Sequence, residues 1–328
     1  MNYNTYIIAE IGINHEGCIK KCLEMINSAK DCGVNAVKLQ TINPDANYAK
    51  NTMSYELFKT SALSEKETRE AFEHAKNIGI DIFSTVGDIP TAKLIKKLKP
   101  AAWKISSSLL THIPLIKYLS KFNEPIIIST GLAKDKEIEE VIKLLKFRSS
   151  GSYSLLHCVS NYPAKLTELN LHKITVYKKK YKVRVGYSDH SIGTLASSLA
   201  VASGAEIIEK HFTFDNKRDS YDHKISLNYN QMRKLVEKVR KIEKIMKNNI
   251  EEKKNSIAEN RKKFLRVIVA QRNIKKGTKL NKSNIAIKRV VDNSNGLPPK
   301  YFEKLINRKI NTDLKKDEVI SLNLFSKI

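Results

Sequence analysis

The sequence predicts an α/β fold, a (β/α)8 TIM barrel followed by a small β-rich domain, and three observations lead there. Eight short apolar runs alternate with amphipathic helical stretches through residues 1–247. The runs are rich in Ile and Val and continuously apolar, which is how strands covered on both faces read. Their ends carry acids, lysines, hydroxyls and histidines, which a barrel gathers at one mouth. An open doubly wound sheet would not collect functional residues from all eight strands.

The strand candidates are Tyr6–Ile11, Ala36–Leu39, Asp81–Ser84, Ala102–Ser106, Pro125–Ser129, Ser154–Cys158, Val183–Tyr187 and Glu206–Glu209. Between them, Lys20–Cys32 sets Cys22, Met25, Ile26 and Ala29 on one helical face. Lys134–Phe147 does the same with Ile138, Val141, Ile142 and Leu145, and Tyr229–Lys247 with Met232, Leu235, Val239, Ile242 and Ile245. Residues 248–263, NNIEEKKNSIAENRKK, are charged and poor in large apolar side chains, so they read as a linker, helical in part. Residues 264–328 read as short strands with turns at Lys276-Gly277, Asn295-Gly296 and Pro298-Pro299. Two stretches in this part, IKKGTKL and LKKDEVI, echo each other. So small a core gains from a partner surface.

The 328 residues are 41% hydrophobic and 28% charged, with a formal net charge of +25. No apolar stretch approaches the roughly 20 residues of a membrane helix. The opening MNYNTYIIAEIG has no basic region before a long apolar core, so the expectation is a cytoplasmic protein. The positive excess is lysine spread over helices, as in LIKKLK and VYKKKYK. It is not interleaved with aromatics, and no nucleic-acid-binding signature accompanies it, so no specific nucleic-acid partner is expected. Cys18, Cys22, Cys32 and Cys158 lack paired metal-ligand spacing and read as reduced thiols.

The chemistry centres on GYSDH, ending at His190, and IIEKHF, containing His211. If their runs are neighbouring parallel strands, both imidazoles reach one mouth and can share a divalent metal, leaving positions for water and substrate oxygens. Asp189 and Glu209 stand near them to orient the rings. Lys38 and Lys104 end apolar strands, where an unpaired charge is costly, so they should face an anion. Ser107, Ser129, Thr130 and Ser188 add donors for phosphate or carboxylate oxygens, and Gly131 allows close backbone approach. Glu10 could bind sugar hydroxyls or move a proton. Asn14–Gly17 reads as a loop over the mouth, with His157 and Tyr162 flanking the sixth strand's end.

In order, IIAEIGINHEG, AVKLQT, FST, WKIS, PIIISTG, LLHC…YP, GYSDH and EKHFT resemble the N-acetylneuraminate (sialic acid) synthase family. VIVAQRNIKKGTKL…IAIKR is similar to that family's appended antifreeze-like (SAF) domain. The resemblance implies a metal-dependent condensation of phosphoenolpyruvate with an N-acyl amino sugar such as N-acetylmannosamine, releasing phosphate. The metal, Mn²⁺ first and Mg²⁺ or Co²⁺ next, would sit on His190 and His211. Lys38, Lys104, Ser107, Ser129 and Ser188 match positions near phosphoenolpyruvate, and Glu10, Gln40, Tyr162 and Asp222 match positions near the sugar. Thr85, Ser160 and Glu209 join the implied substrate-binding set. The family's swapped homodimer would bring Arg289 to the partner's N-acyl group.

The sequence departs from the family around the acceptor. Lys-Ile-x-Ser-Gly-Glu becomes Lys104-Ile105-Ser106-Ser107-Ser108-Leu109, replacing a carboxylate with Leu109. Ser-Thr-Pro-Phe becomes Ser84-Thr85-Val86-Gly87, and Gly-Pro-Asp-His becomes Ser220-Tyr221-Asp222-His223. Lys-Arg-Pro-Gly becomes Lys288-Arg289-Val290-Val291. A legionaminate, pseudaminate or other divergent nonulosonate synthase is therefore a neighbouring reading. Two further classes compete: a Schiff-base aldolase using Lys104 or Lys210, and a non-catalytic carbohydrate- or polyanion-binding protein.

Overall fold

A computed structural model describes residues 4–148, 152–219, 222–247, 250–291 and 295–325. The chain divides into two compact units, Met1–Lys247 and Asn248–Ile328. In the first, eight parallel strands close in sequence order. They are β1 (Tyr6–Gly12), β2 (Ala36–Thr41), β3 (Asp81–Val86), β4 (Trp103–Ile105), β5 (Ile126–Ser129), β6 (Tyr153–Cys158), β7 (Arg184–Asp189) and β8 (Ile207–His211). This is the (β/α)8 barrel that the alternation predicts.

Strand periodicity explains how the barrel makes a site. The inward-facing residues Ile8, Ala36, Phe83, Ala102, Ile127, Leu156 and Ile207 form one buried cluster, an apolar plug. Two residues further along each chain segment come Glu10, Lys38, Thr85, Lys104, Ser129, Cys158 and Glu209. Each strand thus anchors its polar end group on its own plug residue. The remaining strand, β7, contributes Gly186 at plug level and Ser188 above it. A Cβ on Gly186 would lie 2.6 Å from both Ile207 and Leu156 side-chain atoms, so the plug leaves it no room.

The alternate, outward residues belong to the main core beneath the helices, for example Ile7, Val37, Trp103, Ile128, Val185 and Ile208. The helices α1 (Ile19–Asp31), α2 (Asp135–Arg148) and α3 (Tyr229–Met246) supply the faces read from the sequence. Cys22, Met25, Ile26 and Ala29 are buried, as are Ile138, Val141, Ile142 and Leu145. Ile245 is an exception: it is 78% exposed, because the last turn of α3 outruns the core.

In the second unit, residues 250–264, most of them within the stretch read as a partly helical linker, form one continuous helix, and its side chains from Lys254 to Phe264 are exposed. Asn248 and Asn249 lie outside the described residues. Two short antiparallel strands, β9 (Val267–Ala270) and β10 (Ile285–Lys288), pack over a core that includes Ile268, Leu280, Ile285, Ile310 and Ile320. The stretch expected to hold strands near residues 308–322 contributes isolated bridges instead, Lys279 with Lys309, Ile274 with Leu314 and Val269 with Val319. The sequence echo is structural. Residues 271–280 and 311–320 follow the same succession of bends, bridges and turn, with Gly277 (φ 83°) and Asp317 (φ 69°) both left-handed.

Candidate active site

Strand register sets the heights of the charged groups. Glu10 is paired with Lys38 on one side and with His211 on the other, while Ser188 is paired with Glu209 and Thr85 with Lys104. These side chains therefore meet at one level above the plug. The Lys38 ammonium lies 2.5 Å from Glu10 Oε2 and 3.3 Å from Glu209 Oε2, and donates to Thr85 Oγ1 at 3.3 Å. The Lys104 ammonium lies 3.6 Å from Glu209 Oε1 and donates to Ser129 Oγ at 2.8 Å. Ser188 Oγ donates to Glu209 Oε1 at 2.9 Å. Glu209 thus stands between two cations. Burial raises its pKa, but Lys104 and Lys38 outweigh that and hold it down at about 2. Burial depresses Lys38 to about 7, against the pull of Glu209.

Above this floor opens a cavity of about 480 Å³. Lys38, Gln40, Thr85, Lys104, Ser107 and Ser129 line one side, and Ser160, Tyr162, Ser188, His190, Glu209 and His211 line the other. Glu10 does not reach the wall: it is fully buried, and its Oε1 accepts from Gln40 Nε2 at 3.3 Å. Gly131 N donates to Ser107 Oγ at 2.9 Å, and a Cβ there would sit 2.4 Å from Ser160 Oγ. The glycine is what lets three loops converge.

The imidazoles do converge. His190 and His211 have ring centroids 5.6 Å apart, and Tyr162 stacks on His190 at 4.2 Å. His190 Nδ1 is 2.7 Å from the Val159 carbonyl, so it donates there and leaves Nε2 as a lone pair, which receives the Tyr162 hydroxyl at 3.2 Å. Among the described residues the buried His211 Nδ1 has no hydrogen-bond partner, and Asp222 Oδ2 lies 3.4 Å from it. Burial drives both histidines toward the neutral form, and for His211 the neighbouring His190 adds to it. Neutral rings, one oriented by a backbone carbonyl and facing only the Tyr162 hydroxyl at Nε2, suit a two-nitrogen divalent-metal site. Among the described residues no cluster of three or more His, Cys, Asp or Glu forms a fuller cage. Burial raises Asp222 to about 6, so it holds its proton to a higher pH than an ordinary aspartate.

Several sequence candidates play other parts. His157 Nε2 donates to the Leu169 carbonyl and packs beside Tyr177 and Tyr187, outside the barrel wall. Thr130 Oγ1 donates to the Leu156 carbonyl. Asn14 and His15 are buried beneath the first loop rather than displayed over the mouth. Lys210, a candidate amine nucleophile, points away from the cavity into a fully buried pair with Asp189. Cys22, Cys32 and Cys158 are buried free thiols and Cys18 is an exposed one. Arg289 belongs to the second unit, where its Nε donates to the Lys263 carbonyl at 2.9 Å and its guanidinium lies 4.4 Å over the Phe264 ring. Ser220 and Tyr221 lie outside the described residues. Sequence reasoning missed Ile42, Asn47, Tyr48, Phe58 and Leu132, which also line the cavity. They follow strands β2 and β5 in loops and short helices, where neither alternation nor charge marks a side chain as facing a ligand.

A closed parallel barrel with its charged and imidazole groups collected at the strand C-terminal ends defines a (β/α)8-barrel enzyme. The profile of the NeuB family matches residues 25–251, and that of the SAF domain matches residues 266–326. The chain belongs to the NeuB family, with a SAF domain at its C-terminal end. It is 35% identical to the N,N'-diacetyllegionaminic acid synthase of Campylobacter jejuni, covering 96% of this chain and 98% of that protein. It is 33% identical to a pseudaminic acid synthase of the same species, covering 96% of each. The crystal structure of N-acetylneuraminic acid synthetase from Leptospira borgpetersenii, in complex with citrate, superposes with a TM-score of 0.75 at 35% identity, covering 79% of this chain and 92% of that one. Among the described residues no helix is long and apolar enough to cross a membrane.

Proposed function

We propose that the chain is a nonulosonate synthase of the sialic acid type, condensing phosphoenolpyruvate with an open-chain N-acyl amino sugar. C3 of the enol attacks the aldehyde carbon, whose oxygen gains a proton, and positive charge develops at C2. Water adds at C2 and phosphate leaves with C–O cleavage, giving a 2-keto-3-deoxy acid three carbons longer than the acceptor, nine carbons from a six-carbon sugar. The supporting observation is a pair of buried lysines, Lys38 and Lys104, held in place by Glu209 between them and by Glu10 at Lys38, beside a row of hydroxyls. Such a floor accepts a polyanion at little reorganisation cost. Lys38, Lys104, Ser107, Ser129 and Ser188 hold the phosphate and carboxylate oxygens, with Thr85 and Ser160 completing the shell. Glu209 faces the cationic C2 as it forms.

Gln40, Tyr162 and Asp222 hold the sugar, and Glu10 acts through Gln40 and Lys38. Asp222 carries the proton that the aldehyde oxygen takes up. A divalent cation, Mn²⁺ first, with Mg²⁺ or Co²⁺ able to replace it, would be held by His190 and His211 and would polarise that oxygen as a Lewis acid. Arg289 serves a second subunit in a swapped homodimer, contacting its N-acyl group. The work is biosynthetic and the setting cytoplasmic.

A phosphate-release assay of phosphoenolpyruvate against a panel of N-acyl amino sugars tests the reaction. Release should depend on the acceptor and stop with chelator. His190→Ala and His211→Ala should each lose Mn²⁺ binding, read by electron paramagnetic resonance, with the barrel still folded by circular dichroism. Borohydride trapping of a pyruvate adduct with full activity in chelator would replace this reading with a Schiff-base aldolase.

A further inference from the structure

Asp222 is placed by a side chain that does not line the cavity. Beyond β8 the chain loops out and returns. Leu227 N donates to the His211 carbonyl at 2.8 Å, and Thr213 N donates to the Leu227 carbonyl at 3.0 Å. Asp222, on the returning side of this loop, brings its Oδ2 to 3.4 Å from His211 Nδ1. Asn14, in the loop after β1, sits at the junction and is fully buried. Its carboxamide makes three bonds there. Nδ2 donates to the Phe212 carbonyl at 2.9 Å and to Ser226 Oγ at 3.0 Å, and Oδ1 accepts from Asp222 N at 3.3 Å. Ser226 Oγ in turn donates to the Asp222 carbonyl at 2.6 Å. The peptide groups on both sides of Asp222 are thus tied, directly or through one hydroxyl, to the amide that grips the residue after His211.

The same loop fixes the next residue. Glu16 adopts a left-handed φ of 57°, which costs a residue with a Cβ about 1 kcal/mol or more. Its Oε1 accepts from His223 Nε2 at 2.9 Å and lies 2.6 Å from Arg218 Nη1, and its Oε2 lies 3.1 Å from the Lys21 ammonium. His223 Nδ1 is 2.7 Å from Thr213 Oγ1, so this buried ring also spans the two sides of the loop. An apolar residue at position 14 could fill the space but could fix neither peptide. The carboxamide sets their separation. We infer that Asn14 is a positioning residue, holding the Asp222 carboxyl at the His211 ring and so fixing where the aldehyde oxygen receives its proton. This deepens the synthase reading above, on which its kinetic consequences rest.

The test uses phosphoenolpyruvate with the acceptor of the panel above that supports release. Asn14→Ala should lower kcat by about 10- to 100-fold, the cost of misplacing a reacting group by about 1 Å. KM for phosphoenolpyruvate should stay within about threefold, since its lysines lie elsewhere on the floor. In an Asp222→Asn background the same substitution should cost less than about threefold, because a residue that acts through Asp222 then has nothing left to place. An undiminished loss in that background overturns the inference. Crystal structures give an arm independent of turnover. Asn14→Ala should move Asp222 Oδ2 by about 1 Å or more from its 3.4 Å distance to His211 Nδ1. A carboxyl that keeps its place overturns the inference whatever the kinetics. Should Asn14→Ala fail to fold, Ser226→Ala removes only the bridging hydroxyl. It should give the same kcat loss in smaller measure with a displaced carboxyl, and an unmoved carboxyl is again decisive against. If the unaltered enzyme releases phosphate with no acceptor, the synthase reading fails, and the structures alone decide whether Asn14 places Asp222.

Discussion

Asp189 and Lys210 face each other across β7 and β8, 3.3 Å apart and fully buried, each one residue before a histidine of the mouth. They point outward, so they lie between barrel and helices while His190 and His211 point in. Asp189 Oδ1 accepts from Ser191 N at 2.8 Å and Ser191 Oγ at 2.7 Å, and Oδ2 accepts from Ser197 Oγ at 2.6 Å. Lys210 also donates to the Ser191 carbonyl. The pair clamps together the two strand ends that carry the imidazoles. Removing one member strands the other charge in a dry layer, which costs about 3–5 kcal/mol. Lys210→Met should lose that much in denaturant unfolding, and adding Asp189→Asn should recover part of it, since the amide keeps an acceptor for Ser191 without the charge. A loss under about 1 kcal/mol for Lys210→Met would mean the pair is solvated in the folded protein.

Anion binding should be coupled to protons through Lys38. Burial lowers its pKa to about 7, so above that value the free enzyme increasingly carries a neutral amine. A bound phosphate group favours the ammonium. Phosphoenolpyruvate binding at pH 8 should therefore take up a proton, seen as a dependence of the calorimetric heat on buffer ionisation enthalpy, and affinity should weaken as pH rises through 7. Folding stability responds to pH in the opposite sense. Between about 7 and 10.5 the unfolded chain binds the proton that folded Lys38 has lost, so this group makes folding more favourable as pH rises in that window. Glu209, held at about 2 against its ordinary 4.5, acts at the other end: its contribution is full above 4.5 and disappears on acidification toward 2. A heat independent of buffer at pH 8 would count against the Lys38 assignment.

The barrel and its charged floor were readable because both follow from period-2 alternation. A strand that reads Ile-Ile-Glu-Lys-His has its plug residue, its carboxylate and its imidazole on one face, and the sequence states all three. The outward Asp189–Lys210 pair was harder to see, since a charged residue inside an apolar run looks equally suited to either face. Register decides it, and register is a property of eight strands together. The apolar residues of the cavity lining escape almost entirely: only Leu109 is marked, and by a missing carboxylate. Tyr48, Phe58 and Leu132 look like ordinary core or surface residues until the loops are placed. In the second unit the repeated Lys-Lys turn was visible, but most of its pairing consists of single bridges too short to leave alternation.

Gly186 offers a direct test of the plug. Its absent side chain is the space that Ile207 and Leu156 fill, and a Cβ would also lie 2.4 Å from the Ile207 carbonyl oxygen. Overpacking a filled core costs about 1–3 kcal/mol. Gly186→Ala should lower the unfolding free energy by that amount, and Gly186→Val by more. Because Ser188 and Glu209 stand directly above, weaker phosphoenolpyruvate binding should accompany the loss, and Ile207→Val in the same chain, which keeps the Cβ and carbonyl oxygen that clash, should relieve neither. If Gly186→Ala is neutral in stability, the barrel interior is looser than its burial indicates.

The paired turns of the second unit give a prediction that separates backbone strain from charge. Gly277 and Asp317 occupy equivalent left-handed positions, at φ 83° and 69°. The conformation is free for glycine and costs about 1 kcal/mol or more for a residue with a Cβ. Asp317 also pairs with Lys288 at 2.5 Å, but both side chains are substantially exposed, and such pairs contribute about 0–1 kcal/mol. Backbone relief should win. Asp317→Gly is therefore expected to raise the melting temperature of this unit slightly, whereas Gly277→Ala should lower it. Asp317→Ala, which keeps the strain and discards the ion pair, should be the least stable of the Asp317 variants. If Asp317→Gly instead melts below the unaltered protein at both low and high salt, the carboxylate matters more than the turn, and the equivalence of the two repeats ends at their backbone.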